Sequence, residues 1–321
     1  MRAVTNRRYG GPEVLALEEL PMPEPAPDQV LLEVRATSVN GSDVEFLTAK
    51  PAYIRGFGPF GPKFTVLGSD VAGVVVGVGS EVTRWKVGDE VFGDILYTFG
   101  GFAEYAVAPA AELMRKPPEL SFVEAAAIPQ SAAIGVQGVR DQGVGEGTRI
   151  LINGAGGGAG TFAIQAARHL GAEVTAVDSG EKLALMRELG ASTVIDYAAE
   201  DFTARGERYD RILDLTAAHS QLAYRRALVP DGRYLMVGGH VRHLLAVQTM
   251  GKLLSLGGRS FRLLVIEPNR DLDWMVERIV AGDIRPVLDT CYPLEQTADA
   301  LRQVMEGRAK GKVVVTVGDA D

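Results

Sequence analysis

The stretch from Ile150 to Gly171, ILINGAGGGAGTFAIQAARHLG, constrains this chain more than any other. Its apolar run Ile150 to Ile152 predicts a strand buried on both faces. The run breaks into glycines from Gly154 to Gly160. It resumes as a helix whose apolar face carries Phe162, Ile164, Ala166, Ala167 and Leu170 and which stops at Gly171. Strand, glycine turn and helix make a phosphate cradle: unpaired N–H groups at the helix start point outward, and the helix dipole adds partial positive charge there. Glycine lets the chain turn tightly and lets a pyrophosphate approach the backbone.

A second strand, residues 173–177, leads to Asp178, at about the distance where a dinucleotide fold places the residue that reads the adenosine ribose. A helix over 181–189 follows, then a third strand over 193–195 leading to Asp196 and Tyr197. The order β-α-β-α-β is half of a doubly wound sheet. A glycine-rich loop in another kind of α/β protein is the competing reading, and the downstream acid and repeated βα units weigh against it. The rhythm continues with a strand over 209–214, a helix over 220–228 and a strand over 232–237. Val237, Gly238 and Gly239 end that last strand at the sheet edge where ligands bind. The expected cofactor contacts are Gly154, Ala155, Gly157, Gly158, Ala159, Gly160, Asp178, Ser179, Lys182, Tyr197, Leu215, Val237, Gly238 and Gly239.

The first third is built differently. Short strands with glycine and proline turns succeed one another: residues 1–4, 15–20, 30–38, 66–79, the turn into a strand at 85–92, and 101–107. They predict a small barrel-like β domain. A single helical turn is expected over 44–48. Residues 51–63 read as a mobile loop whose aromatics Tyr53, Phe57 and Phe60 either flap over an acceptor site or cover the barrel edge. Ser121 and Glu124 form a capping box that opens the helical zone, and a helix over 131–142 leads to the glycine motif. Strand-like tails at 286–292 and 312–317 return to the β character. The expected architecture is α/β: a β-rich domain over 1–118 and 262–321, with the nucleotide domain, 119–261, inserted.

A net charge of −8 leaves no basic face for nucleic acid or an anionic membrane. The single cysteine, Cys291, excludes an intramolecular disulfide and a cysteine-built zinc site. The apolar segment 244–266 is interrupted by Lys252, Arg259, Arg262 and glycines, so stable membrane insertion is not expected. With no secretory signal at its start, the chain is expected in the cytoplasm.

These residues resemble the medium-chain dehydrogenase/reductase superfamily, and within it the zinc-independent quinone oxidoreductase-like branch. The matching stretches are Gly10-Gly-Pro-Glu-Val14, Val39-Asn40 with Asp43, Leu67-Gly68 with Gly73, Val87-Gly-Asp-Glu-Val91 and Gly101-Phe-Ala-Glu-Tyr105. They continue with Ala125-Ala-Ala-Ile-Pro129, the glycine motif, Leu189-Gly-Ala191 with Asp196-Tyr197, and Gly311-Lys-Val-Val-Val315. The resemblance covers essentially the whole chain. It implies a GroES-like catalytic domain and a Rossmann doubly wound parallel sheet, an active site in the cleft between them, and a homodimer built through the Rossmann sheet.

Zinc-dependent relatives hold a catalytic metal with a cysteine where this chain has Asn40, a histidine–glutamate pair where it has Ser69-Asp70, and a cysteine near Gln130. Amide and hydroxyl groups do not replace thiolate and imidazole ligands. The histidines, His169, His219, His240 and His243, read as solvated or loop residues. The resemblance therefore implies metal-free hydride transfer from NAD(P)H to an acceptor that is already electrophilic, a quinone or an enone. Asn40 and Asp43 are the expected catalytic residues; for Asn40 a loop-capping role competes. Gln130 joins Tyr53, Phe57 and Phe60 on the substrate side. Reduction of enones, enoyl thioesters or aldehydes is the alternative activity, and a non-catalytic cofactor-binding or structural role the alternative of another class. Asp178 favours NADH, since a 2′-phosphate would meet it as a like charge, while Ser179 and Lys182 are placed to bind such a phosphate.

Overall fold

Six parallel strands carry the βα rhythm. The computed structural model describes residues 1–239 and 241–318. The chain divides into two units, one made of residues 1–130 with the stretch from Pro286 onward, the other of Ser131–Arg285.

In the second unit the strands lie in the order Thr193–Asp196, Glu173–Asp178, Arg149–Asn153, Tyr209–Asp214, Leu228–Met236, Ser260–Leu263. Every neighbouring pair is parallel. Counted along the chain this is 3-2-1-4-5-6, the doubly wound order, whose reversal falls between Arg149–Asn153 and Tyr209–Asp214. Ile150, Leu151 and Ile152 are fully buried, as a strand with covered faces requires. The helix Gly158–His169 follows the glycine turn. Near its start it meets the helix Pro129–Arg140 at Gly135, where an added Cβ would lie 2.7 Å from the Ala159 carbonyl oxygen.

Several details refine the expectation. The helix expected over 181–189 is a 3-10 turn, Gly180–Lys182, followed by a short helix, Leu183–Glu188. The segment 244–266 supplies the end of a helix, Val241–Leu254, and the edge strand Ser260–Leu263. Among the described residues no helix is long and apolar enough to cross a membrane. The units meet after Gln130 and Arg285 rather than near 118 and 262. The reason is sheet membership: the helix Phe122–Ala126 packs on strands Gln29–Ser38 and Asp70–Val78, whereas Ser260–Leu263 closes the parallel sheet.

In the first unit the sheet order is Leu288–Pro293, Lys312–Thr316, Gln29–Ser38, Asp70–Val78, Glu90–Asp94, Met114–Arg115, with Tyr105–Pro109 also paired to Gln29–Ser38. The returning C-terminal segment thus places Lys312–Thr316 antiparallel against Gln29–Ser38. The core beneath is aliphatic and aromatic: Val30, Leu32, Val71, Val91, Phe99 and Phe102 are all shielded from water. The helix after Asn40 runs Gly41–Thr48, two turns rather than one.

The contact at Gly135 gives a direct test of the second unit. Gly135→Ala forces a backbone shift where the helices touch, at a cost of about 1–3 kcal/mol. Urea denaturation should register the loss, and an unchanged midpoint would show that the two helices do not approach this closely.

Candidate functional site

Asp70 opens the strand Asp70–Val78, and the sheet register places it in one row with Val314, Ser38 and Asp94. Its Oδ2 accepts from Ser38 Oγ at 2.7 Å, from Asn40 Nδ2 at 2.8 Å and from Lys312 Nζ at 3.4 Å. Its Oδ1 accepts from the Gln130 N–H at 2.9 Å. Lys312 Nζ also donates to Asn40 Oδ1 at 2.6 Å. The Asn40 amide bridges the acid and the ammonium, and its Nδ2 also reaches Ser69 Oγ at 3.1 Å. Gln130 closes the far side: its Oε1 accepts from Ser42 Oγ at 2.8 Å, and its Nε2 donates to Ser69 Oγ and Asp94 Oδ2, both at 3.3 Å. Lys312 is 2% exposed and Asp70 fully enclosed, so this is an internal polar cluster.

Asp43 is likewise enclosed. Its two oxygens accept the N–H groups of Asn40 and Gly68, at 2.8 and 2.9 Å. It therefore caps the Gly41–Thr48 helix and ties it to the loop before Asp70. Burial pushes its carboxyl up to about 7 against the pull of those two donors. Burial, then the charge of Asp70, raises Asp94 well above the usual carboxylate range. Burial lowers the Lys312 ammonium, and Asp70 opposes that. Asn40, Asp43 and Gln130 were expected at the chemistry. In this structure their polar atoms are committed to holding the cluster.

Of the loop aromatics, Phe60 is fully exposed and Tyr53 and Phe57 half exposed. The segment is anchored rather than free: it contains the 3-10 turn Ala52–Gly56, Ile54 is buried, Phe57 lies 5.5 Å from the Phe46 ring, and Tyr9 donates to the Gly58 carbonyl.

In the second unit the glycine turn is built as its sequence predicts. Gly154 has φ +84°, which a side chain disfavours. A Cβ on Gly160 would meet the Gly154 carbonyl oxygen at 2.4 Å, so helix and strand pack through it. At Gly157, the helix N-cap, a Cβ would meet nothing closer than 3.7 Å. The space above Gly157 is open, and the N–H groups of Gly158, Ala159 and Gly160 lie in the first helical turn, where intrahelical acceptors are missing. A pyrophosphate fits such a cradle. The neighbouring strand ends are fixed from below: Asp214 accepts from Asn153 Nδ2 at 2.9 Å and from the Tyr234 hydroxyl at 2.7 Å. That pair sets the turn carrying Leu215, whose N–H donates to the Asn153 carbonyl. Val237 leaves its strand with its N–H on the Asp214 carbonyl, and Gly238 and Gly239 follow with positive φ.

Asp178 ends its strand with its carboxylate bonded to the glycine turn and the residues just beyond it. Oδ2 accepts the Gly156 N–H and Oδ1 the Ser179 N–H, both at 2.8 Å, and Lys182 Nζ stands 3.2 Å from Oδ1. Lys182 is buried: its stem covers Gly156, where a Cβ would lie 2.6 Å from Lys182 Cδ. Tyr197 is exposed beside this strand end. Missed in the sequence were Lys312, Asp94 and Ser42 in the first unit and Gly156 in the second. A lysine opening an otherwise apolar strand, KVVVT, was the available clue to the first.

Among the described residues, no group of three or more His, Cys, Asp or Glu is placed to hold a metal ion. His243 departs from the loop expectation, being buried on the helix Val241–Leu254. His169 stands edge-on to Trp274 and His219 to Phe202 and Tyr224, while His240 lies outside the described residues.

Comparison with known proteins agrees with this architecture. Residues 26–118 match the family model for an alcohol dehydrogenase GroES-like domain, and residues 189–315 match the model for a zinc-binding dehydrogenase. A 2-methylene-furan-3-one reductase of Solanum lycopersicum is 33% identical, over 98% of this chain and 79% of its own. A chloroplast envelope quinone oxidoreductase homolog of Arabidopsis thaliana is 31% identical, over 98% of both. The solved structure of the quinone oxidoreductase from Coxiella burnetii superposes with a TM-score of 0.89, at 26% identity and over 99% of each chain. The chain belongs to the medium-chain dehydrogenase/reductase superfamily, in its quinone oxidoreductase-like branch. It is an oxidoreductase that works with a nicotinamide cofactor.

Removing Lys312 should expose the electrostatic balance of the cluster. Lys312→Met leaves Asp70 charged and unpaired, which costs about 3–5 kcal/mol at neutral pH. In acid the stranded carboxylate takes up a proton, so the deficit shrinks as pH falls. Urea titrations at both pH values measure this, and an equal deficit at each would contradict the assignment.

Proposed function

We propose that this protein transfers a hydride from NAD(P)H to a quinone without a metal ion. The observation that carries the reading is the closed cluster around Asn40. There Asp70, Lys312 and the Asn40 amide satisfy one another, so no strong acid remains to activate an unreactive alcohol or ketone. The acceptor must then bring its own electrophilicity, as a conjugated quinone does. The nicotinamide, when bound, supplies the hydride; Gly157, Gly158, Ala159 and Gly160 hold its pyrophosphate, and Leu215, Val237, Gly238 and Gly239 support the remainder. Asn40, Asp43 and Gln130 act by position, fixing the start of the Gly41–Thr48 helix, and Tyr53, Phe57 and Phe60 offer apolar surface to the acceptor. Enones are the second reading, favoured by the 2-methylene-furan-3-one reductase among the relatives.

A homodimer is supported by the sheet edge. Ser260–Leu263 is the last strand of the six, and Leu245, Leu253 and Leu256 beside it are exposed.

Steady-state oxidation of NADH and NADPH by quinones, before and after exhaustive chelation, tests the activity. For each cofactor the rate should be the same before and after chelation. Turnover that vanishes with chelation and returns with zinc would overturn the metal-free reading. A Cβ at Gly157 meets no protein atom closer than 3.7 Å, so Gly157→Val should fold and lose cofactor affinity. Undiminished binding would remove the glycine turn from the site.

For the cofactor we infer a preference for NADH. Asp178, held by the Gly156 N–H and Lys182, can accept from ribose hydroxyls but would oppose a 2′-phosphate. The ratio of kcat/KM for NADH over NADPH should exceed one and fall in Asp178→Ser. A wild type that prefers NADPH sinks this assignment.

A further inference from the structure

In the second unit the strand order reverses between Asn153 and Asp214, the last residues of adjacent strands and partners in register. Dinucleotides lie outside the strand ends at such a point. Asp214 stands beneath it, fully enclosed. Its Oδ2 accepts from the Tyr234 hydroxyl at 2.7 Å. Its Oδ1 accepts from Asn153 Nδ2 and the Ala217 N–H, both at 2.9 Å, and from the Thr216 N–H at 3.3 Å. The two backbone bonds bend the chain back over the strand end. Asn153 Nδ2 grips the same turn from the neighbouring strand, through Thr216 Oγ1 at 2.7 Å. Ala217 is held at φ +51°, a left-handed conformation that a Cβ disfavours. Asp214 therefore imposes a shape that the turn would not adopt by itself.

We propose that Asp214 is a positioning residue for the dinucleotide, holding residues 215–217 in place as one wall of the cofactor crevice. The proposal rests on the cofactor reading above and adds the residue that shapes this wall. The turn is wedged between two of the glycines expected at the cofactor. A Cβ on Gly154 would lie 2.8 Å from Thr216 Cγ2 and 3.2 Å from Leu215 Cβ, and one on Gly239 would lie 2.7 Å from Ala217 Cβ. Leu215 is half-buried and Thr216 exposed, so the turn presents its outer side to whatever lies over the strand ends. The Val237 N–H donates to the Asp214 carbonyl, which ties a third strand end to the same residue. If Ala217 relaxed to a negative φ, Leu215 and Thr216 would shift against Gly154. The cofactor would then have to order this wall as it bound, at the expense of affinity. Asp214 touches no cofactor atom in this scheme and acts through Ala217.

Calorimetric titration with NADH and with NADPH tests this without turnover. Asp214→Ala should raise the Kd of the preferred cofactor roughly tenfold. Asp214→Asn should stay close to wild type, because its side-chain oxygen can still accept from the Ala217 N–H. The double variant Asp214→Ala with Ala217→Gly should recover most of the lost affinity, since glycine takes a positive φ unaided. In steady state the loss should appear in KM for the cofactor and not in kcat. A merely structural role would lower the urea midpoint, leave Kd unchanged in the folded variant and gain nothing from the glycine. Unchanged affinity in folded Asp214→Ala, or a loss that Ala217→Gly does not relieve, overturns the role of Asp214 and leaves the cofactor reading standing. A wild type that binds neither NADH nor NADPH overturns both. If Asp214→Ala does not fold, hydrogen exchange of the wild type decides: the preferred cofactor should slow exchange across residues 215–217, and an unchanged rate there overturns the proposal.

Discussion

The Lys312 ammonium stands among three buried carboxylates, Asp43, Asp70 and Asp94, and the layout of the first unit's sheet follows from how that imbalance is settled. Taking a charge out of water costs several kcal/mol for each ion unless a partner and hydrogen bonds replace the hydration. Lys312 and Asp70 supply each other with a partner, and the Asn40 amide, Ser38 hydroxyl and Gln130 N–H complete the coordination of the acid. Asp94 and Asp43 are pushed toward the protonated form, burial being the first cause for each. The arrangement closes only when the C-terminal strand returns to pair with Gln29–Ser38, which brings Lys312 to residues some 240 and more positions earlier in the chain. A polar cluster of this kind fixes register: slipping the strand by one residue would turn Lys312 to the other face and strand Asp70.

The second unit uses a related device for another purpose. Asp178 pairs with Lys182 only four residues away, and the same carboxylate accepts the Gly156 N–H inside the glycine turn. The residue expected to read a ribose thus also holds the glycine turn. An exchange at Asp178 therefore alters the geometry of that turn as well as its charge.

What could be read from the chain depended on how local the cause was. Five of the six strands follow from apolar runs and glycine stops, each set by neighbours in sequence, whereas the edge strand Ser260–Leu263 was not read as one; the glycines at 154, 157 and 160 announce the turn directly. The cluster around Asp70 is different. It needs Ser38, Asp70, Asp94 and Val314 in one row across four strands, which no local pattern encodes, and Asn40 was reached only by resemblance. Lys312 hid within an apolar strand, because lysine there reads as an exposed edge. Lys182 was expected beside the ribose, placed to bind a phosphate; the 3-10 turn Gly180–Lys182 tucks its stem over Gly156. The expected domain limits followed the change in composition, whereas the real ones follow which sheet each strand joins.

The helix Gly41–Thr48 explains why neighbouring acids on it behave differently. Its N-terminus carries partial positive charge and free N–H groups, a field that fades within the first turn. Asp43 sits in that turn and captures the Asn40 N–H, so its ionised form receives support that partly offsets complete burial. Glu45 lies beyond reach of it. With no donor of its own, even incomplete burial lifts it to a similar range. Asp43 is sealed from water and cannot pass a proton outward without breaking the cap. Glu45, only half-buried and without a hydrogen-bond partner among the described residues, can lose and regain one without disturbing the fold. The same helix thus provides an anchor in its first turn and an exchangeable acid in its second.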